Sequence, residues 1–152
     1  MKISIISIGR FKNGFEKEFF NTYQTRLYRW PLSLIEITHK KNLAIPQQKT
    51  YEAELIKEKL SEKSFLIALD EHGVHMPSEK FAYFMKDTLE KNPHITFLIG
   101  GAHGLDASLL GLCAKKIALS AMTWPHMVVR GMLAEQLYRA SSILDNHPYH
   151  KA

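Results

Sequence analysis

Apolar runs of strand length recur along the chain. The first, Lys2 to Ile8, is rich in isoleucine and ends at Gly9, which is typical of a strand covered on both faces. Four more runs of this kind predict strands at 34–37, 65–69, 95–99 and 117–121.

Between these runs, apolar residues recur at helical spacing. A first stripe at Phe15, Phe19, Tyr23 and Leu27 predicts a helix that stops before Pro31. Capping residues and further stripes predict four more helices: one capped by Thr50, one capped by Ser78, one from about Asp106 to Ala114, and one after the Trp124–Pro125 hinge.

Strands that alternate with helices indicate an α/β fold with a mostly parallel sheet and flanking helices. The length of 152 residues suits one domain, which we place over residues 1–152. Ligands of such sheets bind outside the carboxyl ends of the strands. Three predicted loops lie at the carboxyl ends of strands and could line such a ligand site: 69–73, 100–104 and 121–126.

Composition adds few constraints. No apolar run is long enough to span a bilayer, so we expect no membrane role, and MKISIISIGR is interpreted as a first strand and not a signal peptide. The single cysteine, Cys113, suggests a reducing cytoplasm. The net charge of +5 permits a nucleic-acid or phosphate partner without requiring one.

The glycine loop IGGAHG, at 99–104, is the first candidate for a ligand-binding segment. It follows a predicted strand and precedes a helix, so its backbone could approach a nucleotide closely, although a plain strand-to-helix turn explains it equally well. It lacks the dinucleotide fingerprint. No metal site is expected, because the histidine pairs 72/75 and 147/150 have no HExxH motif, cysteine pair or cluster of carboxylates that would complete a coordination shell. A serine hydrolase is not expected either, because Ser120 lacks the GxSxG nucleophile elbow.

The last helix carries more polar and charged side chains than an ordinary terminal helix. Its predicted buried stripe leaves Arg130 and Tyr138 free to meet a ligand or a second subunit, while Glu135 and Arg139 are spaced to form an ion pair. The tail 146–151 is expected to be mobile, yet it combines an aromatic ring, two imidazoles and a lysine.

Four motifs occur in order across the chain: FLIGGAHG at 97–104, LSAMTWPH at 119–126, EQLYRA at 135–140 and HPYHK at 147–151, with Arg130 between the second and third. This combination closely resembles the small ribosomal large-subunit methyltransferases of the SPOUT superfamily, the RlmH type. The resemblance covers essentially the whole chain. Each motif alone is weak, but the ordered set is specific.

The resemblance implies a deep trefoil knot at the carboxyl-terminal end, a homodimer, and S-adenosylmethionine as methyl donor without a metal. It places the donor mainly against backbone groups of eight residues: Leu69, Gly100, Leu119, Ser120, Ala121, Met122, Thr123 and Trp124.

The family's acceptor is N3 of a pseudouridine in 23S rRNA within the assembled ribosome. On this basis His126, Arg130, Tyr149 and His150 are the expected catalytic group, with His150 or a nearby imidazole accepting the N3 proton. Arg139 and Lys151 are expected to contact RNA. Whether the tail acts within its own subunit or across a dimer stays open.

Two other functions are alternatives to the methyltransferase. One is a ribosome-associated RNA-binding module that has kept the fold but performs no catalysis, and the other is a generic nucleotide-binding α/β domain. The glycine loop, the LSAMTW segment and the PYHK tail together favour the enzyme, because a binding module needs only a basic surface.

Overall fold

Strands and helices alternate throughout the computed structural model, which describes residues 1–151. The strands are β1 (Lys2–Ile8), β2 (Leu32–Ile37), β3 (Phe65–Val74), β4 (His94–Ile99) and β5 (Lys115–Ile117). The helices are α1 (Phe15–Arg26), α2 (Ile45–Lys57), α3 (Ser78–Lys91), α4 (Ala107–Leu112) and α5 (His126–Leu144). All pairings are parallel, in the order β2-β1-β4-β3-β5. The predicted α/β fold with flanking helices is confirmed.

The two faces of the sheet contribute to two separate cores. Ile3 and Ile5 of β1 join the core shared with α1, α3 and α5, whereas Ile6 and Ile8 join the smaller core shared with α2 and α4. This division follows from the two-residue period of a strand. Because both faces are covered, β1 and β4 are buried along nearly their whole length, which explains why their sequences are mainly apolar.

Helix α5 is the longest, with 19 residues, and it packs on α1 and α3. Gly131 packs directly against α1, since a Cβ atom there would lie 2.2 Å from Cδ1 of Phe19. Among residues 1–151, neither α5 nor any other helix combines the length and apolar character that crossing a bilayer demands.

Three predicted boundaries are wrong by four residues or more. Helix α2 begins at Ile45 and not at Thr50, because Pro46 fits the first helical turn, where its missing N–H is not needed. Strand β5 ends at Ile117 instead of continuing to 121. Strand β3 continues past 69 to Val74, although its pairing with β5 is interrupted between Leu69 and Val74.

Substituting Gly131 with alanine should destabilise the fold. The added methyl group would overlap Phe19, and relieving such overpacking costs about 1–3 kcal/mol. Urea unfolding followed by circular dichroism measures the change. Gly111→Ala is the matched control, because a Cβ there meets no atom within 4 Å and alanine favours the helix, so equal destabilisation of both variants would contradict this account.

Candidate functional site

A cleft of about 840 Å³ opens at the carboxyl edge of the sheet. Its walls come from three chain segments: 69–72 in β3, 99–105 after β4, and 117–126 after β5. These are the three loops that the sequence placed at this edge, and the volume lies within the range of small-molecule sites.

The glycine loop forms a closed turn at the end of β4. Gly104 has φ +78°, its N–H donates to the Gly101 carbonyl at 3.1 Å, and the two residues form an isolated bridge. A Cβ on Gly100 would lie 2.4 Å from the backbone carbon of Gly104. Only glycine at position 100 therefore lets this turn close. The turn presents main-chain atoms, without a side chain at position 100, to the cleft.

The segment between β5 and α5 is held against β3. The Ala118 N–H donates to the Val74 carbonyl at 3.1 Å, and the Thr123 hydroxyl donates to Glu71 at 2.9 Å. Met122 and Trp124, 70% and 41% exposed, stand at the mouth of the cleft. The segment thus forms a fixed wall with apolar side chains at its rim.

Most of the predicted donor-binding residues meet in this cleft. Ala121 is the exception, because it is exposed and does not line the cleft. The other members of the set line it: Leu69, Gly100, Leu119, Ser120, Met122, Thr123 and Trp124. Sequence reasoning assigned no role to Asp70 and Glu71, which form an acidic lip of the cleft, although their position directly after a predicted strand was the available signal.

His126 is the one predicted catalytic residue that lines the cleft. It is half-buried and is the first residue of α5. Burial lowers the pKa of its imidazole, and the nearby Arg130 charge lowers it further against an opposing effect of Glu52. Because this pKa lies below its ordinary value, the ring is neutral at neutral pH and can accept a proton.

Arg130 lies inside the protein, so the prediction that it is free to meet a ligand is wrong. Its side chain is fully buried, and its Nη2 donates to the carbonyls of Ile8 at 2.7 Å and Gly9 at 3.0 Å. Nη1 donates to Glu36 at 3.3 Å. Burial lowers the pKa of the guanidinium, while Glu36 opposes that shift. Arg130 therefore joins the start of α5 to the ends of β1 and β2.

The tail is folded back on the protein instead of being mobile. Asn146 has φ +52°, and the next N–H, that of His147, donates to the Ser142 carbonyl at 2.8 Å. This left-handed turn closes the end of α5 and reverses the chain. The Tyr149 hydroxyl then donates to Glu135 at 2.9 Å and lies 3.1 Å from the Tyr23 hydroxyl.

Both ring nitrogens of His150 have partners. Arg139 can only donate, so Nδ1, at 3.2 Å from its Nη1, is the accepting nitrogen, and Nε2 donates to Glu79 at 3.0 Å. In this arrangement the lone pair of His150 is occupied, and the bond to His150 lowers the pKa of Glu79. Among residues 1–151, no three or more histidine, cysteine or acidic residues come together as a group able to hold a metal ion.

The tail sits away from the cleft. Neither Tyr149 nor His150 lines the cleft, and Glu135, the acceptor for the Tyr149 hydroxyl, lies nine residues along α5 from His126, a rise of about 14 Å. The Tyr149 ring also covers Tyr138, with centroids 4.7 Å apart. Tyr138, predicted to be free, is therefore occupied by the tail.

The two predicted RNA contacts differ in availability. Arg139 donates to Glu135 through Nε at 3.0 Å and through Nη2, and its guanidinium lies 4.9 Å from the centre of the Tyr149 ring. The hydrogen bond to Glu135 raises the pKa of Arg139. Lys151, by contrast, is exposed.

Comparison with known sequences identifies close relatives over the full length. A family described as "Predicted SPOUT methyltransferase" matches residues 1–150. The protein named ribosomal RNA large subunit methyltransferase H from Rhodospirillum rubrum is 42% identical over 153 residues, covering 100% of both chains. Its namesake from Acetivibrio thermocellus is 37% identical over 159 residues, covering 99% of this chain and 100% of the relative.

Solved structures share the fold at low identity. A probable methyltransferase from Bordetella pertussis Tohama I superposes with a TM-score of 0.52 and 10% identity, over 91% of this chain and 95% of that one. The SpoU methyltransferase AviRb from Streptomyces viridochromogenes, solved with AdoMet, gives 0.50 and 12% over 92% of this chain, which spans only 58% of that longer protein. These similarities concern the fold.

Replacing Arg130 with methionine should destabilise the protein by about 2–4 kcal/mol, because two carbonyls and Glu36 lose a buried donor. Urea unfolding measures the loss. Arg10→Met is the control, since Arg10 is exposed at the same end of β1 and should change stability by less than about 0.5 kcal/mol. Equal effects would show that the buried bonds of Arg130 contribute nothing.

Proposed function

Because the chain belongs to the SPOUT methyltransferase family, we propose that it methylates rRNA of the large ribosomal subunit, with S-adenosylmethionine as donor and residues 1–152 as one catalytic domain. The proposed acceptor is N3 of a pseudouridine in 23S rRNA within the assembled ribosome, which places the activity in the cytoplasm. The observation that carries the proposal is the cleft, in which seven of the eight expected donor-binding residues meet.

The cleft fits the proposed donor. Gly100 lets the backbone turn 100–104 close tightly along the cleft, and the apolar wall 117–119 suits an adenine ring. The carboxylates of Asp70 and Glu71 lie at one lip, where they complement the positive charges of a sulfonium and an ammonium group. When bound, S-adenosylmethionine supplies an electrophilic methyl group.

The protein has to hold the acceptor in line with that methyl group, exclude water, and remove the N3 proton. His126 is placed for the last task, because its imidazole is neutral and faces the cleft. The proton leaves N3 for the imidazole as the bond between N3 and the methyl carbon forms and the carbon–sulfur bond breaks. Arg130 acts as a positioning residue that fixes the start of α5 next to β1.

We propose further that the protein is a homodimer in which the tail of one subunit completes the cleft of the other. Support comes from the distance between the tail and its own cleft, and from His126, which is the one catalytic candidate already in the cleft. In this arrangement Tyr149, His150 and Lys151 reach the acceptor bound to the partner subunit. His150 becomes a second candidate base once it leaves Arg139.

The deep trefoil knot is also part of the proposal. Strand β5 is at the edge of the sheet, but the chain that follows it returns to the interior strand β1, three places away in the strand order. A Cβ on Gly9, at the end of β1, would lie 2.9 Å from Met127 Cε and 3.6 Å from His126 Nε2. The segment 118–125 therefore crosses the ends of β3 and β4, the path that threading requires.

Methyl transfer to ribosomes that lack the modification is the decisive experiment, with the modified nucleotide identified by mass spectrometry. Wild-type protein should bind S-adenosylmethionine in a calorimeter and methylate one pseudouridine at N3. Gly100→Ala should bind the donor at least tenfold more weakly because the glycine turn cannot close around a methyl group, whereas Gly111→Ala should bind normally.

Absence of donor binding by the wild type would overturn the methyltransferase proposal. Donor binding without transfer would favour a non-catalytic ribosome-associated module instead.

Mixed dimers test the shared site. Gly100→Ala and His150→Gln homodimers should each transfer methyl groups slowly, the second with donor affinity intact, while His75→Gln, an exposed histidine, is the control. A heterodimer of the two variants keeps one intact cleft facing one intact tail, so it should recover about half of wild-type activity. Heterodimers as inactive as the parents, in protein shown to be dimeric by sedimentation, would place the tail in its own subunit's site.

A further inference from the structure

Two loops project from the same edge of the sheet as the cleft. Strands β1 and β2 are parallel and pair Ile8 with Ile37 at their carboxyl ends, so the loops 9–14 and 38–44 emerge side by side. The cleft opens at the ends of the neighbouring strands β4 and β3. Any macromolecule whose nucleotide enters the cleft therefore passes close to these loops.

Both loops are cationic and contain no acidic residue. We define the β1–β2 rim as Arg10, Lys12, Lys40 and Lys41, all of which are exposed. Within residues 1–151, none of the four forms an ion pair with a carboxylate. Lys41 lies 4.3 Å from the centre of the Tyr51 ring, a contact that leaves its charge available.

The first loop is fixed in place by its middle residue. The Phe11 N–H donates to Glu36, its ring packs against Phe20 with centroids 5.7 Å apart, and the Arg130 guanidinium lies 4.8 Å from the ring centre. Phe11 is thus anchored inward while its two neighbours, Arg10 and Lys12, are exposed. The contacts of Phe11 therefore fix the position of the loop that carries the charges of Arg10 and Lys12.

The second loop is fixed by a half-buried polar cluster. His39 Nε2 lies 3.1 Å from Glu52 and 3.1 Å from the Gln48 amide nitrogen, and Gln48 in turn accepts from the Leu43 N–H at 3.3 Å. The His39 ring also meets the edge of Tyr51. This cluster ties 38–44 to α2 and limits the entropy that Lys40 and Lys41 lose on binding.

The rim is continuous with the cleft. Lys49, on the same helix as Gln48 and Glu52, lines the cleft, and Glu52 approaches the glycine loop, with Oε2 3.3 Å from a Cβ placed on Gly101. The carboxylates of Asp70 and Glu71 line the cleft from β3, which lies two strands away from β1 in the sheet. A polyanion is repelled by Asp70 and Glu71 and attracted by the β1–β2 rim. It should therefore approach the cleft from the side of β1 and β2.

We propose that the β1–β2 rim binds the phosphate backbone of rRNA next to the nucleotide that enters the cleft. This inference rests on the proposed function and gives it a docking surface separate from Arg139 and Lys151. Lysine and arginine side chains on phosphates contribute affinity that is independent of sequence and falls steeply with salt. The rim therefore positions the acceptor helix, while the cleft selects the nucleotide.

The test compares two variants with the same change in charge. The rim variant carries Arg10→Gln, Lys12→Gln, Lys40→Gln and Lys41→Gln. The control variant carries Lys59→Gln, Lys63→Gln, Lys86→Gln and Lys91→Gln, four exposed lysines outside both loops and the cleft. Each is assayed for donor affinity, for kcat and KM with ribosomes, and for binding to deproteinised 23S rRNA over a range of salt concentrations.

The rim variant should keep its donor affinity and raise KM for ribosomes about tenfold or more, with kcat at saturation little changed. The slope of the logarithm of its 23S rRNA binding constant against the logarithm of salt concentration should be shallower by about three. Each of the four lost phosphate contacts removes about 0.7–0.9 from that slope. The control variant should match the wild type in every assay.

Rim and control variants with equal KM and equal salt slopes would overturn the inference while leaving the methyltransferase intact. A higher KM for ribosomes with unchanged binding to deproteinised rRNA would also overturn it, because the rim would then contact a ribosomal protein. Failure of the proposed function is distinct from both, since it would appear as wild-type protein that transfers no methyl group.

Discussion

A buried positive charge holds the carboxyl edge of this sheet together. Arg130 reaches from the first turns of α5 to the carbonyls of Ile8 and Gly9 and to the carboxylate of Glu36, so one guanidinium joins β1, β2 and α5. The cleft wall depends on it, because the segment 118–125 must begin at β5 and end at an α5 whose position is fixed. The placement of His126 and the anchoring of Phe11 depend on it as well.

The cleft itself depends on close backbone approach. Gly100 meets the backbone of Gly104, and Gly73 meets that of Ile117, in both cases nearer than any Cβ would allow. These two contacts bring the three walls together around the cleft. Such a surface suits a ligand recognised by shape and backbone hydrogen bonds, in agreement with the donor proposed for it.

Strands β1 and β4 could be predicted from sequence because both are buried on two faces and are mainly apolar, with only the small hydroxyl side chains of Ser4, Ser7 and Thr96 in their interiors. Arg130 was misplaced because a single 3.6-residue stripe assumes one buried face, whereas α5 packs against α1, α3 and the sheet and buries residues around much of its circumference. The anchoring of the tail depended on contacts with Glu135 and Tyr23, distant in sequence. The cleft residues were found through the family motifs, since periodicity indicates an edge of the sheet but not which loops meet there.

Charged side chains of both signs line the cleft. Asp70 and Glu71 come from β3 and Lys49 comes from α2, so their charges set up an electric field at the opening. A small molecule with a cationic end is turned by this field before it makes any contact. The orientation of a bound ligand is thus selected partly at the entrance, by a few surface side chains that need never touch it.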